Sequence, residues 1–380
     1  MPSNRRSVLA GAGSIGALTL AGCLSDQGGN GDDNGDGETN GDGTGTGTGS
    51  GGGDDPTDVG VVYALGGLGD KAFNDMAKQG IEQAQSEFDM TYRGSEPSES
   101  SEFPTLQRRF ATSSDPDYDL VCCIGFAQAQ DLTENAEQYG DQQFMIVDSV
   151  VDKPNVASYV FKEHLGSFQV GHLAGLLTQR DFSTGGDGGT EASTFSDADT
   201  VGFVGGKENS LIKKFEAGFI AGAKHAGNVN VRTAYAGSWS DPAKGKEIAL
   251  SMYDNGADIV YHAAGGTGTG VFGAAQERGR YAIGVDSDQS KSASEYKDVI
   301  LASMVKHVDT AVYTSIENVT NGEHAGGDVS ALGLERGGVE AVLGQTLGDQ
   351  IPTEVTDALE QSKQAIIDGD ISVPEDPENA

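Results

Sequence analysis

Cysteine is scarce in this chain, three residues among 380. Two of them are neighbours, Cys122 and Cys123 in "DYDLVCCIGF". Adjacent cysteines seldom bridge one another, and no C-x2-C spacing accompanies them. A disulfide framework is therefore excluded, and the pair reads as two small apolar residues inside a strand. The six histidines show neither H-x-x-H nor H-E-x-x-H spacing, which argues against a metal site. Basic residues are also few, 24 Lys and Arg against 58 Asp and Glu, for a formal net charge of -34. Such a surface repels nucleic acid and anionic membranes. No G-x4-G-K-[ST] phosphate loop and no G-x-S-x-G nucleophile elbow occur, and no Ser-His-Asp or Cys-His order is evident.

The acids are not confined to tails. They recur in patterned sequence such as "EQAQSEFD", "DLTENAEQYGD" and "PTEVTDALEQ", where lysine is sparse. This reads as a halophile's surface, whose self-repulsion is screened by high salt. The chain opens with paired Arg5 and Arg6, followed by an apolar stretch at 8–21 that is short for a membrane span. It ends in Leu20-Ala21-Gly22-Cys23. "NRRSVL" resembles a twin-arginine export signal and "LAGC" a lipobox, so residues 1–23 are expected to be an address, with Cys23 lipidated. Residues 24–57 are a Gly/Asp/Thr-rich linker with nothing to fill a core. About 34 such residues have a root-mean-square reach of roughly 30 Å, enough to hold a globular body clear of an anchor. A similar run at 183–200 reads as a surface loop.

Beyond the linker, short apolar runs alternate with amphipathic stretches of helical length. The runs include "VGVVYA", "DLVCCIG", "QFMIVD", "VASYVF", "TVGFVGG", "ADIVYHAA", "RYAIGVD" and "ILASM". Continuous apolar runs suit strands buried on both faces, and right-handed crossovers between them build parallel sheets. At 380 residues the chain is long enough for two such lobes. The expected fold is α/β, with each lobe a parallel sheet flanked by helices. Ligands of such sheets bind at the loops beyond the carboxyl ends of the strands. These edges carry "LGGLGDKAFND", Asp148, "GSWSDPAKGKE", Asp286 and Lys306.

Six blocks in order, "GGLGDKAFND", "GFVGGKENSLIKKFEAGFIAGAKH", "GSWSDPAKGKEIA", "GGTGTGVFGAAQE", "AIGVDSDQ" and "ILASMVKHVD", resemble the basic membrane protein (BMP) family. These are substrate-binding lipoproteins of ABC transporters, PnrA-like purine nucleoside receptors among them. The resemblance runs from about 58 to 368. It implies a periplasmic-binding-protein type I-like fold, an ABC permease and its ATPase as partners, and no cofactor. By the same resemblance Phe73 stacks on one face of a base and Trp239 on the other, with Asn74 beside Phe73. Asp148, Asp286 and Lys306 correspond to the polar residues of the site, Asp286 and Lys306 to those that hold the ribose hydroxyls. Nucleoside binders of the family carry an acid near the base edge where this chain has Ala64.

The residue chemistry agrees with a neutral, sugar-bearing ligand. Vicinal hydroxyls donate to carboxylates, and Lys306 donates to the remaining lone pairs. A phosphate would meet Asp148 and Asp286 as like charges. Asp70 reads as the N-cap of the helix that follows it. The expected lobes are 58–162 with about 286–321, and 163–285 with about 322–368, closing by hinge motion. Residues 369–380 read as an acidic tail. The expectation is a membrane-tethered, non-enzymatic nucleoside receptor. A nucleoside hydrolase-like enzyme and a receptor of the same fold for another small polar ligand stay open beside it.

Overall fold

The computed structural model describes residues 55–185, 190–195 and 199–380. The export signal, Cys23 and the linker up to residue 54 lie outside the described residues. The chain starts its first sheet with β1 (Thr57–Val62) and α1 (Phe73–Glu87), then β2 (Met90–Ser95), α2 (Phe103–Ala111) and β3 (Leu120–Cys123). It goes on through α3 (Ala129–Gln138), β4 (Gln143–Val147) and β5 (Val156–Phe161). It then crosses into α4 (Glu163–Thr178), a short antiparallel pair of β6 (Ser183–Thr184) with β7 (Ala192–Ser193), β8 (Thr200–Gly205) and α5 (Ser210–His225). There follow β9 (Asn230–Tyr235), α6 (Pro242–Asp254), β10 (Ile259–Ala263), α7 (Thr269–Arg278), β11 (Tyr281–Asp286), α8 (Gln289–Ser292) and β12 (Ile300–Lys306). A return passage holds α9 (Val308–Thr320) and β13 (Val329–Leu332), and the chain ends with β14 (Val339–Leu343) and α10 (Thr353–Ile367).

The two sheets repeat one plan. The first has the order β13-β5-β4-β3-β1-β2 and the second β14-β12-β11-β10-β8-β9. All pairings within them are parallel except β12 with β14. The central strands are the continuous apolar runs, and β3, β10, β11 and β12 are buried throughout. Cys122 and Cys123 are free and buried in β3. The edge strands β2 ("MTYRGS") and β9 ("NVRTAY") alternate with exposed residues, as strands with one neighbour should. In the second lobe α5 lies tightly on α4. Glycine permits that approach, since a Cβ on Gly218 or Gly222 would overlap the carbonyl oxygen of His164 or Phe168.

The crossings fall later than the sequence suggested. β12 pairs with β11 and β14, so the chain stays in the second lobe until Lys306 rather than leaving near Asp286. It remains in the first lobe beyond Asn321, because β13 pairs in parallel with β5, and returns between Leu332 and Val339. "ILASM" reads as a buried strand in either sheet, and only its partners decide which. The residues after α10 are not a free tail. Glu375 pairs with Lys214 of α5 at 3.0 Å, and Lys224 Nζ donates to the carbonyl of Ala380 at 2.8 Å.

Candidate functional site

The carboxyl edges of the two sheets face each other across a cleft of about 730 Å³ of atom-free space, its open mouth included. Phe73, Asn74, Asp148, Trp239, Asp286 and Lys306 all line it. Interlobe clefts of this make-up, a few polar groups set in an apolar lining, are where small-molecule ligands bind.

The glycine-rich loop after β1 contributes a wall and keeps its donors to itself. Gly66, Gly67, Gly69 and Lys71 all have positive φ, and the turn they make is held by carboxylates. Leu68 N–H donates to Glu96, and the N–H groups of Gly69 and Lys71 to Asp75, each within 2.9 Å. Asp70 accepts from the N–H groups of Ala72, Asn74 and Asp75. The expected N-cap is thus a correction in position only: the helix begins at Phe73 after Ala72, and Asp70 satisfies its orphan donors from farther back. These donors, which a phosphate loop would present to its ligand, are occupied. Burial pushes the Asp70 carboxyl up to about 6, against the pull of those N–H groups. The Asn74 amide is also engaged, accepting from Ala64 N–H at 2.9 Å and donating to the Gly67 carbonyl at 3.1 Å. It lines the cleft while bracing the loop.

Phe73 and Trp239 come from opposite lobes. Lys306 Nζ lies 4.6 Å from the centre of the Phe73 ring, a cation–π arrangement. Trp239, between β9 and α6, packs its six-membered ring on Gly206, where a Cβ would overlap the indole. Its own Cβ approaches Gly66 of the first lobe, within 3.6 Å of where a side chain there would begin.

Asp148 and Asp286 follow β4 and end β11, in matching places of the two sheets. Both have left-handed backbone, φ 65° and 63°, a conformation aspartate adopts more readily than most residues. Lys306, 2% exposed, donates to both oxygens of Asp148 at 3.1 and 2.8 Å. Asp286 Oδ1 stands 3.9 Å from the same ammonium and has no hydrogen-bond partner. Burial, opposed by Lys306 and reinforced by Asp148, raises its carboxyl to about 7. Burial pushes the Lys306 ammonium down, but the surrounding carboxylates outweigh it and hold the charge on.

The sequence reading missed a third carboxylate beside Lys306. Glu163, the first residue of α4, is 1% exposed, lies 3.9 Å from Lys306 Nζ and has no partner for either oxygen. Burial raises it to about 8, opposed by Lys306. Its signal was present: it stands two residues beyond β5, at the same kind of strand end that yielded Asp148. The apolar lining from Phe103, Ile124, Phe126, Leu211 and Phe215 also went unread, because such residues look like core in sequence.

Comparison with known proteins extends this geometry. The family described as "ABC transporter substrate-binding protein PnrA-like" matches residues 57–377. The chain belongs to that family. It is 35% identical to the CD4+ T-cell-stimulating antigen of Listeria monocytogenes, covering 84% of this chain and 88% of that one. It is 31% identical to the ABC transporter nucleoside-binding protein BmpA of Lactococcus lactis, covering 83% and 88%. A lipoprotein of Pyrococcus furiosus is 31% identical, covering 81% and 79%. Among solved structures, an ABC transporter solute-binding protein of Aeropyrum pernix superposes with a TM-score of 0.73 at 26% identity, covering 85% and 95%. This member of the family is a substrate-binding protein of an ABC transporter, with the two-lobed type I-like fold.

Proposed function

We propose that the chain captures a nucleoside between its lobes, stacks the base between Phe73 and Trp239, and delivers it to an ABC permease and its ATPase. The observation that carries this reading is the buried Asp286 carboxylate, one oxygen of it without a hydrogen-bond partner, in the lining of a cleft that Asp148 and Lys306 also line. A buried acceptor without a donor is costly, and a ribose hydroxyl supplies the missing donor. Lys306 is the matching donor for ribose lone pairs. The nucleoside-binding relative and the apolar lining between two aromatic rings point the same way. In this reading the protein binds without catalysis, and Cys23 carries the lipid that tethers it to the outer face of the membrane.

The test is calorimetric titration of the chain with guanosine, inosine, adenosine, cytidine, uridine, the free bases and ribose. Saturable binding of nucleosides, much weaker binding of ribose, and intact nucleoside recovered afterwards are expected. Binding of a sugar or another small molecule in preference to every nucleoside would overturn the ligand assignment. Release of free base with turnover would favour a hydrolase. For the tether, Cys23→Ser should move the protein from the membrane to the soluble fraction.

A further inference from the structure

Three carboxylates crowd one buried lysine, and only one of them is bonded to it. Asp148 holds Lys306 through both oxygens, whereas Glu163 and Asp286 each stop at 3.9 Å. The lobes on which these groups sit give the arrangement a direction. Asp148 belongs to the first sheet, while Lys306 ends β12 of the second. Glu163 starts α4, which packs on β12, β14 and α5 of the second lobe. Any opening of the cleft therefore draws Asp148 away from Lys306 and leaves Glu163 at its side. A buried ammonium stripped of its only bonded partner is unfavourable unless another acceptor takes over.

We propose that Lys306 exchanges partners when the lobes move: it pairs with Asp148 in the closed form and with ionised Glu163 in the open form, so that closing takes up one proton. The proton comes from solvent and resides on a Glu163 carboxyl oxygen in the closed cleft. Glu163 is thus a positioning residue, acting on the ligand site through Lys306. The inference rests on the reading that this cleft closes on a ligand.

The groups facing Glu163 support the assignment. Lys306 stands before it on β12, with Asp148 beyond, and both enter its electrostatics together with Lys214 of α5. Tyr261 of β10 feels both Glu163 and Asp286, and its hydroxyl hydrogen bonds with that of Ser167 at 3.2 Å. With all three acids ionised, one lysine would leave this buried cluster with two uncompensated negative charges. Burial raising Glu163 to about 8 fits a neutral acid in the closed form at neutral pH. Asp286 does not fill the same role, because it lines the cleft, where a ligand hydroxyl can reach it. Glu163 is sealed behind Lys306, outside that lining.

The sign follows from linkage. The open form, with Glu163 ionised and paired, holds fewer protons than the closed form, so closing weakens as pH rises. The Glu163 contribution to ligand affinity, read as the ratio of wild type to Glu163→Gln, should fall about tenfold per pH unit between about pH 6 and 8, and level off above that.

The experiment uses the full chain and two readouts. Small-angle scattering of the ligand-free protein at about pH 6 and 9 should show a larger radius of gyration at the higher pH. Calorimetry with guanosine, in buffers of different ionisation enthalpy near pH 7, should show close to one proton more taken up per binding event by the wild type than by Glu163→Gln, whatever Asp286 releases being common to both. In Glu163→Gln, which keeps the shape and loses the charge, the scattering response should vanish. Asp286→Asn should lose guanosine binding yet keep the pH-dependent scattering. A wild type whose scattering is insensitive to pH, or a Glu163→Gln protein that keeps the scattering response, would overturn the proposal. If guanosine fails to bind, scattering alone decides the matter, and a persistent Glu163-dependent response then leaves only the nucleoside assignment in error.

Discussion

The two lobes are built to one plan and carry different electrostatics at the same point. In each sheet the third strand in order is followed or ended by an aspartate with left-handed backbone, Asp148 after β4 and Asp286 at the end of β11. In the second lobe the neighbouring strand ends in Lys306. In the first, the neighbouring strand ends in Phe161, whose ring centre lies 5.5 Å from that same ammonium. A repeated frame thus supplies two carboxylates and a single cation. The cation bonds across the cleft to the partner lobe's acid rather than to its own, which leaves one buried Asp286 oxygen without a hydrogen-bond partner. One aspartate joins the lobes, and the other is available to whatever enters between them.

Removing the shared cation should break this comparison most severely. In Lys306→Met, Asp148, Asp286 and Glu163 lose the ammonium they share, and breaking a buried pair from one side costs about 3–5 kcal/mol. Denaturant unfolding should register that loss, together with failure to bind nucleosides. A stability within about 1 kcal/mol of wild type would mean that the pair is incidental to the fold.

The open aspartate should behave in the opposite way. Asp286→Asn removes a charged acceptor of ligand hydroxyls, worth about 3 kcal/mol or roughly hundredfold in affinity, with little cost to the fold. Its pH signature is specific. A carboxyl raised to about 7 in the folded state stabilises the protein while neutral, below its ordinary range, and that contribution is lost as pH rises through about 7. Melting temperature of the wild type should therefore fall across that window, and the fall should be shallower in Asp286→Asn. An identical pH profile in both proteins would remove Asp286 from the raised group.

Which parts of this were legible beforehand follows from how local each signal is. The strands were, because a buried central strand is apolar along its whole length, and the strand-end residues Asp148, Asp286 and Lys306 followed from them. The crossings were not. "ILASM" looks the same in either lobe, and its sheet is fixed by β11 and β14, one of them distant in sequence. Glu163 reads as an ordinary acid opening a helix, a favourable place for one on dipole grounds. Its burial beside Lys306 exists only after α4 has packed on β12 of the second lobe. Asp70 was read by its job, which is correct, but the loop lets it do that job from two residues before Ala72.

The aromatic pair gives the next smaller effect. Phe73 and Trp239 stand on opposite lobes, so they can sandwich a base only in the closed form. Phe73→Ala should weaken nucleoside binding by ten- to hundredfold, the 1–3 kcal/mol typical of a lost base–aromatic stack. Trp239 is the sole tryptophan, so its fluorescence should respond saturably to nucleosides and far less to ribose. A Phe73→Ala protein with undiminished affinity would place the base elsewhere in the cleft.

The smallest expected effect concerns Ala64, which follows the end of β1 and lines the cleft, at the position where the family resemblance read from the sequence implies an acid. Its methyl group faces Gly125, which has φ of 104° and whose own Cβ would sit 3.2 Å from that of Ala64 and 3.4 Å from the Phe73 ring. In the proposed pose a carboxylate at this position, beside the Phe73 ring, would meet the edge of the stacked base. Carboxylates only accept hydrogen bonds, so they favour a base edge that presents N–H donors, as guanine does, over one that presents a ring-nitrogen acceptor, as adenine does. Ala64→Asp should accordingly shift the ratio of guanosine to adenosine affinity by roughly tenfold toward guanosine, the value of about one charge-assisted hydrogen bond. The ratio is the proper readout, because any general loss from burying a new charge cancels between the two ligands. If the ratio stays put while both affinities fall together, position 64 does not face the base edge, and the choice of base is made elsewhere in the cleft.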